Sequence, residues 1–200
     1  MRINFIAAAA ALSLLSACAQ PVDDGSIPAT PKPPAEAVPE MPPPVASPST
    51  DGIFTYAGVG TAGFGADESS VRKAWAGTLE GAPTSPEDCY LLVPAPRAAR
   101  VSDTAFMFEA RRFSRVDVNT ASIPAPGGGR VGMRQEDIQT RYPGQVEVLP
   151  HKYVEGAHYL RIRDPQGGTG ALVFETTSTG IVERWRVGVV PQIDYVEGCG

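Results

Sequence analysis

Beyond residue 50 the apolar positions of this chain recur first at a spacing of four and then at a spacing of two. Val71 with Trp75, and Ile138 with Tyr142, are i,i+4 pairs, so each pair forms one apolar stripe on a short helix. Asp67 is suited to cap the first helix, and Gly77 and Gly144 are placed to end the two helices. After each helix the period changes. Leu160 and Ile162 alternate with Arg161 and Arg163, and Trp185 and Val187 alternate with Arg184 and Arg186, the signature of strands with one buried face. Gly167-Gly168 and Thr179-Gly180 are turn signals between neighbouring strands and predict antiparallel hairpins.

The same order of elements occurs twice. Residues 65–77 align without a gap on residues 132–144, with glycine over glycine at both ends, Val71 over Ile138 and Trp75 over Tyr142. Cys89-Tyr90-Leu91-Leu92-Val93 lies over His158-Tyr159-Leu160-Arg161-Ile162, and Phe108-Glu109 over Phe174-Glu175. Three blocks in one order with nearly constant offsets predict a duplication. The expected fold is α+β: a tandem repeat of a short helix followed by antiparallel strands, with the helices on one face of the sheet. The domain is expected over residues 51–200, with unit one at about 53–121 and unit two at about 130–200.

The first fifty residues follow other patterns. Arg2 supplies a positive start, and residues 3–15 are almost wholly apolar, too short a run to span a bilayer. With small residues after it, this reads as a signal peptide covering residues 1–17. Leu15-Ser16-Ala17-Cys18 resembles the bacterial lipobox. That resemblance implies lipidation of Cys18, cleavage before it, and two or three acyl chains, which together hold a membrane stably. It also implies outer-membrane sorting, because Ala19 rather than Asp follows the cysteine. Residues 19–50 then contain ten of the chain's 20 prolines and few large apolar residues. Such a stretch cannot offset its chain entropy by burial, so residues 18–50 are expected to form a disordered tether spanning up to roughly 100 Å. A passive spacer is the expected role, with recognition by a partner domain as the alternative.

Charge and motifs narrow the function. The formal net charge is -5, with 17 Lys+Arg against 22 Asp+Glu, and no basic stripe suited to nucleic acid is present. Gly58-Val59-Gly60-Thr61-Ala62-Gly63 matches the dinucleotide fingerprint, but three residues intervene before the helix and there is no room for a doubly wound sheet. A glycine-rich entry loop is expected there. His151 and His158 are expected on the surface of a hairpin, with no metal site. No hydrolase elbow, zinc-protease or phosphate-loop sequence occurs, so neither an enzyme nor a cofactor is expected. In an oxidising compartment Cys89 and Cys199 are expected to form a disulfide; the alternative is a catalytic cysteine paired with His151 or His158.

One surface carries a binding expectation. If Leu160, Ile162, Trp185 and Val187 face the helices, then Tyr159, Arg161, Arg163, Arg184 and Arg186 share the opposite face. Guanidiniums there suit carboxylates or phosphates, or simply keep the wet side of the sheet polar, with Glu175 and Glu183 near enough to neutralise them. The sequence Gly132 to Ile138, followed by Tyr142-Pro143-Gly144 and meandering strands, resembles the helical motif of SmpA/OmlA-type outer-membrane lipoproteins. Two such units resemble the beta-lactamase inhibitor protein fold. Arg134 stands where that family commonly has Thr or Ser, and Ala66 replaces its Met in the first unit. The resemblance implies a periplasm-facing binding or envelope-assembly support module. Its expected partners are the membrane, through the lipid, and an envelope protein or anionic envelope component. The alternative is an envelope glycan-binding protein or hydrolase.

Overall fold

A computed structural model describes residues 52–85, 88–96 and 102–199, which belong to one compact unit, Val45–Gly200. The expected signal peptide, the lipidation site Cys18 and the proline-rich tether lie outside the described residues. No helix among the described residues is long and apolar enough to cross a membrane.

The fold is α+β and its sheets are antiparallel. The helices are α1 (Glu68–Ala74) and α2 (Gln135–Arg141), seven residues each. Helices this short are marginal alone and depend on packing. Each buries one residue, Val71 in α1 and Ile138 in α2. Asp67 caps α1, accepting the Ser70 N–H at 2.8 Å. At the start of α2 the Asp137 carboxylate instead reaches back to accept the Arg134 N–H at 3.2 Å. Both helices stop earlier than the glycines imply. Trp75 and Tyr142 leave helical geometry, each donating its N–H to the carbonyl four residues back.

The main sheet has eight strands: β4 (Leu79–Glu80), β5 (Cys89–Pro94), β6 (Thr104–Glu109), β7 (Arg112–Val118), β8 (Val146–Pro150), β9 (His158–Arg163), β10 (Gly170–Thr176) and β11 (Val182–Val189). Their order across the sheet is β4-β5-β6-β7-β11-β10-β9-β8. Every neighbour is consecutive in sequence except at the centre, where β7 pairs with β11. The predicted hairpins β9–β10 and β10–β11 are present.

Register stacks the predicted inward positions. Leu160 and Trp185 flank Phe174, Ile162 and Val187 flank Leu172, and Val187 continues to Val116 across the central seam. These side chains share one buried cluster with Phe106, Phe108, Leu92, Val71 and Ile138. Trp185 is fully buried, and its indole N–H donates to the Ile123 carbonyl at 3.3 Å, which settles the one polar atom it brings inside.

The glycine fingerprint is not the expected loop. It builds β2 (Gly58–Val59) and β3 (Ala62–Gly63), which with β1 (Phe54–Thr55) make a small separate sheet. A Cβ on Gly58 would stand 2.1 Å from the Ala62 carbonyl oxygen, so close strand approach accounts for this glycine.

Candidate binding surfaces

Alternation on the central strands places Tyr159, Arg161 and Arg163 of β9 and Arg184 and Arg186 of β11 on the face opposite the main core. Register sets Arg161 opposite Val173, Val173 opposite Arg186, and Arg186 opposite Asp117. The face is not open, however. After β11 the chain turns back through a 3-10 helix, η1 (Gln192–Asp194), and covers the centre of this face. Ile193 is fully buried and packs with Tyr159, Ala171 and Val173. The backbone of this segment brings carbonyls over the sheet, and the arginines meet them. Arg186 donates to the Ile193 carbonyl at 2.8 Å, and Arg115 donates to the Gln192 and Tyr195 carbonyls at 2.7 Å each. Arg161 pairs with Asp194. The disulfide between Cys89 on β5 and Cys199 fastens the segment's far end, so the expected cysteine pairing is present.

The four arginines of this face therefore differ in surroundings, and the wet face expected for all of them is corrected for two. Arg186, with 5% of its side chain exposed, is internal, and Arg161 is engaged by the covering segment. Arg163 and Arg184 are exposed, Arg184 lying 3.6 Å from Glu175 and 3.8 Å from Glu183. Arg115 belongs to the same machinery and went unremarked in the sequence, although its alternation with Val116 and Val118 carries the signal.

His151 is also corrected. Its side chain is buried against the ring of Tyr159, with centroids 4.6 Å apart. Its Nδ1 accepts the N–H groups of Tyr153 and Val154 at 3.1 Å each, so Nε2 carries hydrogen and donates to Glu175 at 3.1 Å. The second Glu175 oxygen accepts from Arg186 at 2.9 Å. Burial works to raise the Glu175 carboxyl, but the His151 hydrogen bond and the charges of Arg184 and Arg186 outweigh it and hold it below its ordinary range. No group of three or more His, Cys, Asp or Glu suited to a metal occurs among the described residues.

A second surface lies at one rim of the sheet. There an open groove of about 1060 Å³ runs between Phe54 of β1, Tyr56 of the β1–β2 turn, residues 124–128, the end of α2 at Arg141, and the β9–β10 turn near Asp164. Its wall is firmly built. The Tyr142 hydroxyl donates to the Pro126 carbonyl at 2.6 Å and accepts the Gly129 N–H at 3.0 Å, pinning the loop to the helix end. Burial, then Tyr142 and Asp164, push the Tyr56 phenol well above its ordinary range, so its hydroxyl stays protonated. Arg141, Gln145 and Gln166 add exposed polar groups along the edges. Loops distant in sequence make this site, and no local motif announces it.

The glycine run is a steric requirement of that wall. A Cβ on Gly127, whose φ is +85°, would lie 2.4 Å from the Tyr142 ring. Gly127→Ala is expected to cost about 2 kcal/mol, combining left-handed backbone strain with overpacking. Urea unfolding checks this; a loss below about 0.5 kcal/mol would show that the loop relaxes freely.

No family model matches the chain, and no curated protein matches it. Among solved structures, one similar chain is an extracellular protein containing an SCP domain from Bacillus anthracis. It is 14% identical at a TM-score of 0.39, over 63% of this chain and 44% of that one. Another is YfeY of Escherichia coli, an uncharacterized protein, 13% identical at a TM-score of 0.39, over 62% of this chain and 88% of that one. The chain spans less than half the length of the first.

Proposed function

We propose that the protein is a lipid-anchored lipoprotein of the outer membrane, facing the periplasm, and that its domain is a non-catalytic binding or envelope-assembly support module. On this reading the domain arose by duplication, and both helices lie on one face of the sheet. Support comes from the element bounds: α1 and α2 have equal length, β5 and β9 have equal length, and the strand order is symmetric about the β7–β11 seam. The face bearing Tyr159, Arg161, Arg163, Arg184 and Arg186 is assigned mainly to holding the C-terminal segment.

The observation that carries the binding role is the rim groove. It is open, its wall is tied together by the Tyr142 hydrogen bonds, and it combines aromatic side chains with polar groups, the composition expected of a recognition site. The favoured partner is an extended segment of an envelope protein. A photo-cross-linker placed at Gln166 in the intact lipoprotein, in its native host, tests this. The expected result is a discrete adduct with one envelope protein, lost when Arg141→Glu is added. Adduct formation indifferent to Arg141 would defeat the groove assignment. A cross-link to peptidoglycan sugars instead would favour the glycan-binding reading.

A further inference from the structure

The two edges of the main sheet differ. β4 is two residues long, too short to template a partner, whereas β8, Val146–Pro150, runs for five and pairs with β9 alone among the described residues. The ladder fixes which of its backbone groups are left over. His151, just past β8, donates its N–H to the Ala157 carbonyl at 3.0 Å, while His158 of β9 turns its own N–H away, to the Thr176 hydroxyl on β10 at 3.0 Å. Alternation along an antiparallel pair then directs the backbone of Glu147 and Leu149 toward β9. The N–H and C=O of Val146 and Val148, and the C=O of Pro150, are left on the outer edge. We propose that this edge pairs antiparallel with the same edge of a second copy of the chain, about a two-fold axis at Val148. The inference is independent of the groove and of its proposed role.

The edge is apolar where it is exposed. The exposed large hydrophobic residues among those described are Val148, Tyr153, Val154 and Val190, and all but Val190 lie on β8 or just beyond it. Exposed apolar surface gathered at one place marks an interaction site. An antiparallel edge can also complement itself. With the axis at Val148, the two Val148 residues stand opposite and exchange both N–H···O=C bonds, and Val146 stands opposite Pro150 and donates to its carbonyl. Pro150 has no N–H to offer, and this register asks it only to accept, at the ends of the new ladder. Both outward N–H groups of each copy are then satisfied. Charge excludes the adjacent register. Setting Val146 opposite Val148 would satisfy the same donors but bring the two Glu147 side chains directly opposite, a destabilising like-charge pair. With the axis at Val148, each Glu147 meets Leu149 instead. Glu147 and Pro150 are residues that guard an edge against indiscriminate pairing. Here they leave one self-pairing open.

Sedimentation velocity of the mature chain, residues 18–200 with Cys18→Ser so that no lipid is present, tests the inference. Wild type is expected to form a reversible dimer. Val148→Lys and Val148→Glu each set like charges opposite at the axis, and each is expected to weaken the dimer about tenfold while circular dichroism stays that of wild type. An equimolar mixture of the two variants is expected to restore pairing, because unlike charges then meet. In the intact chain in its native host, Val148→Cys is expected to give a disulfide-linked dimer on mild oxidation. Glu147→Cys is not, since its two copies are offset along the ladder beyond disulfide reach. A wild-type chain that stays monomeric would overturn the inference, as would a dimer that Val148→Lys leaves intact or a mixture no more dimeric than its parts. So would a Val148→Cys adduct with a different protein, which would assign the edge to a foreign strand. Cross-linking through Glu147→Cys would overturn the register.

Discussion

Replacing both Cys89 and Cys199 with serine is expected to lower the unfolding free energy by about 3 kcal/mol and the melting midpoint by about 6 to 12 °C. The bridge closes a separation of 110 residues, and closing a loop of this order removes up to about 4.7 kcal/mol of chain entropy from the unfolded state. The full amount is not expected, because the segment is held in other ways. Ile193 is completely buried, and Arg115 and Arg186 together fasten three of its carbonyls. The loss has a place as well as a size. Hydrogen exchange is expected to rise first over residues 190–199, with the central strands β7, β10 and β11 following only through global unfolding. Reduction of the wild-type protein is expected to reproduce both effects. A midpoint lowered by less than about 2 °C would mean that the arginine clasp alone holds the segment.

The parts of this fold that were legible in sequence are those governed by a local period. The period-two runs of β9 and β11 located the strands and sorted Arg161, Arg163, Arg184 and Arg186 onto one face, because side chains alternate whatever lies above them. Alternation says nothing about what covers a face. The sequence Pro191-Gln192-Ile193-Asp194 gives no sign of which surface it returns to, so Arg186 read as exposed when it is internal. His151 misled for the same reason: its burial comes from Tyr159 on a neighbouring strand and from Glu175 one strand farther. The glycine fingerprint misled differently. Gly58 meets a steric need, but the neighbour that imposes it is Ala62 four residues on rather than a phosphate. The rim groove was illegible altogether, since its walls come from loops and element ends distant in sequence that only the assembled fold brings together.

Removing one partner of the buried Glu175–Arg186 pair is expected to be as damaging as removing the disulfide. Glu175→Ala leaves the Arg186 guanidinium beneath the C-terminal segment with the Ile193 carbonyl, the face of Tyr159, 5.3 Å from the ring centre, and the charge of Asp117 on the neighbouring strand to compensate it, but no carboxylate bonded to it. Stranding one member of a buried pair costs about 3 to 5 kcal/mol. The exposed Arg184 also loses an acid, which adds little. Replacing both at once, Glu175→Leu with Arg186→Met, removes the charges together and is expected to recover most of the loss, because an apolar pair of similar size has no desolvation penalty to offset. If the double variant is no more stable than Glu175→Ala, the pair acts through its geometry and not its charge. Acid titration gives an independent check on Glu175 itself. Its carboxyl is held below its ordinary range in the folded state, so its contribution is complete above the unfolded carboxylate value of about 4.3 and disappears as pH falls through the folded value. Wild type is therefore expected to exceed Glu175→Gln in stability at pH 7, with the gap narrowing progressively below about pH 4.3. A gap that widens on acidification would mean that burial, which favours the protonated acid, outweighs His151 and the two arginines. The carboxylate would then be a cost that the covering segment imposes on the sheet.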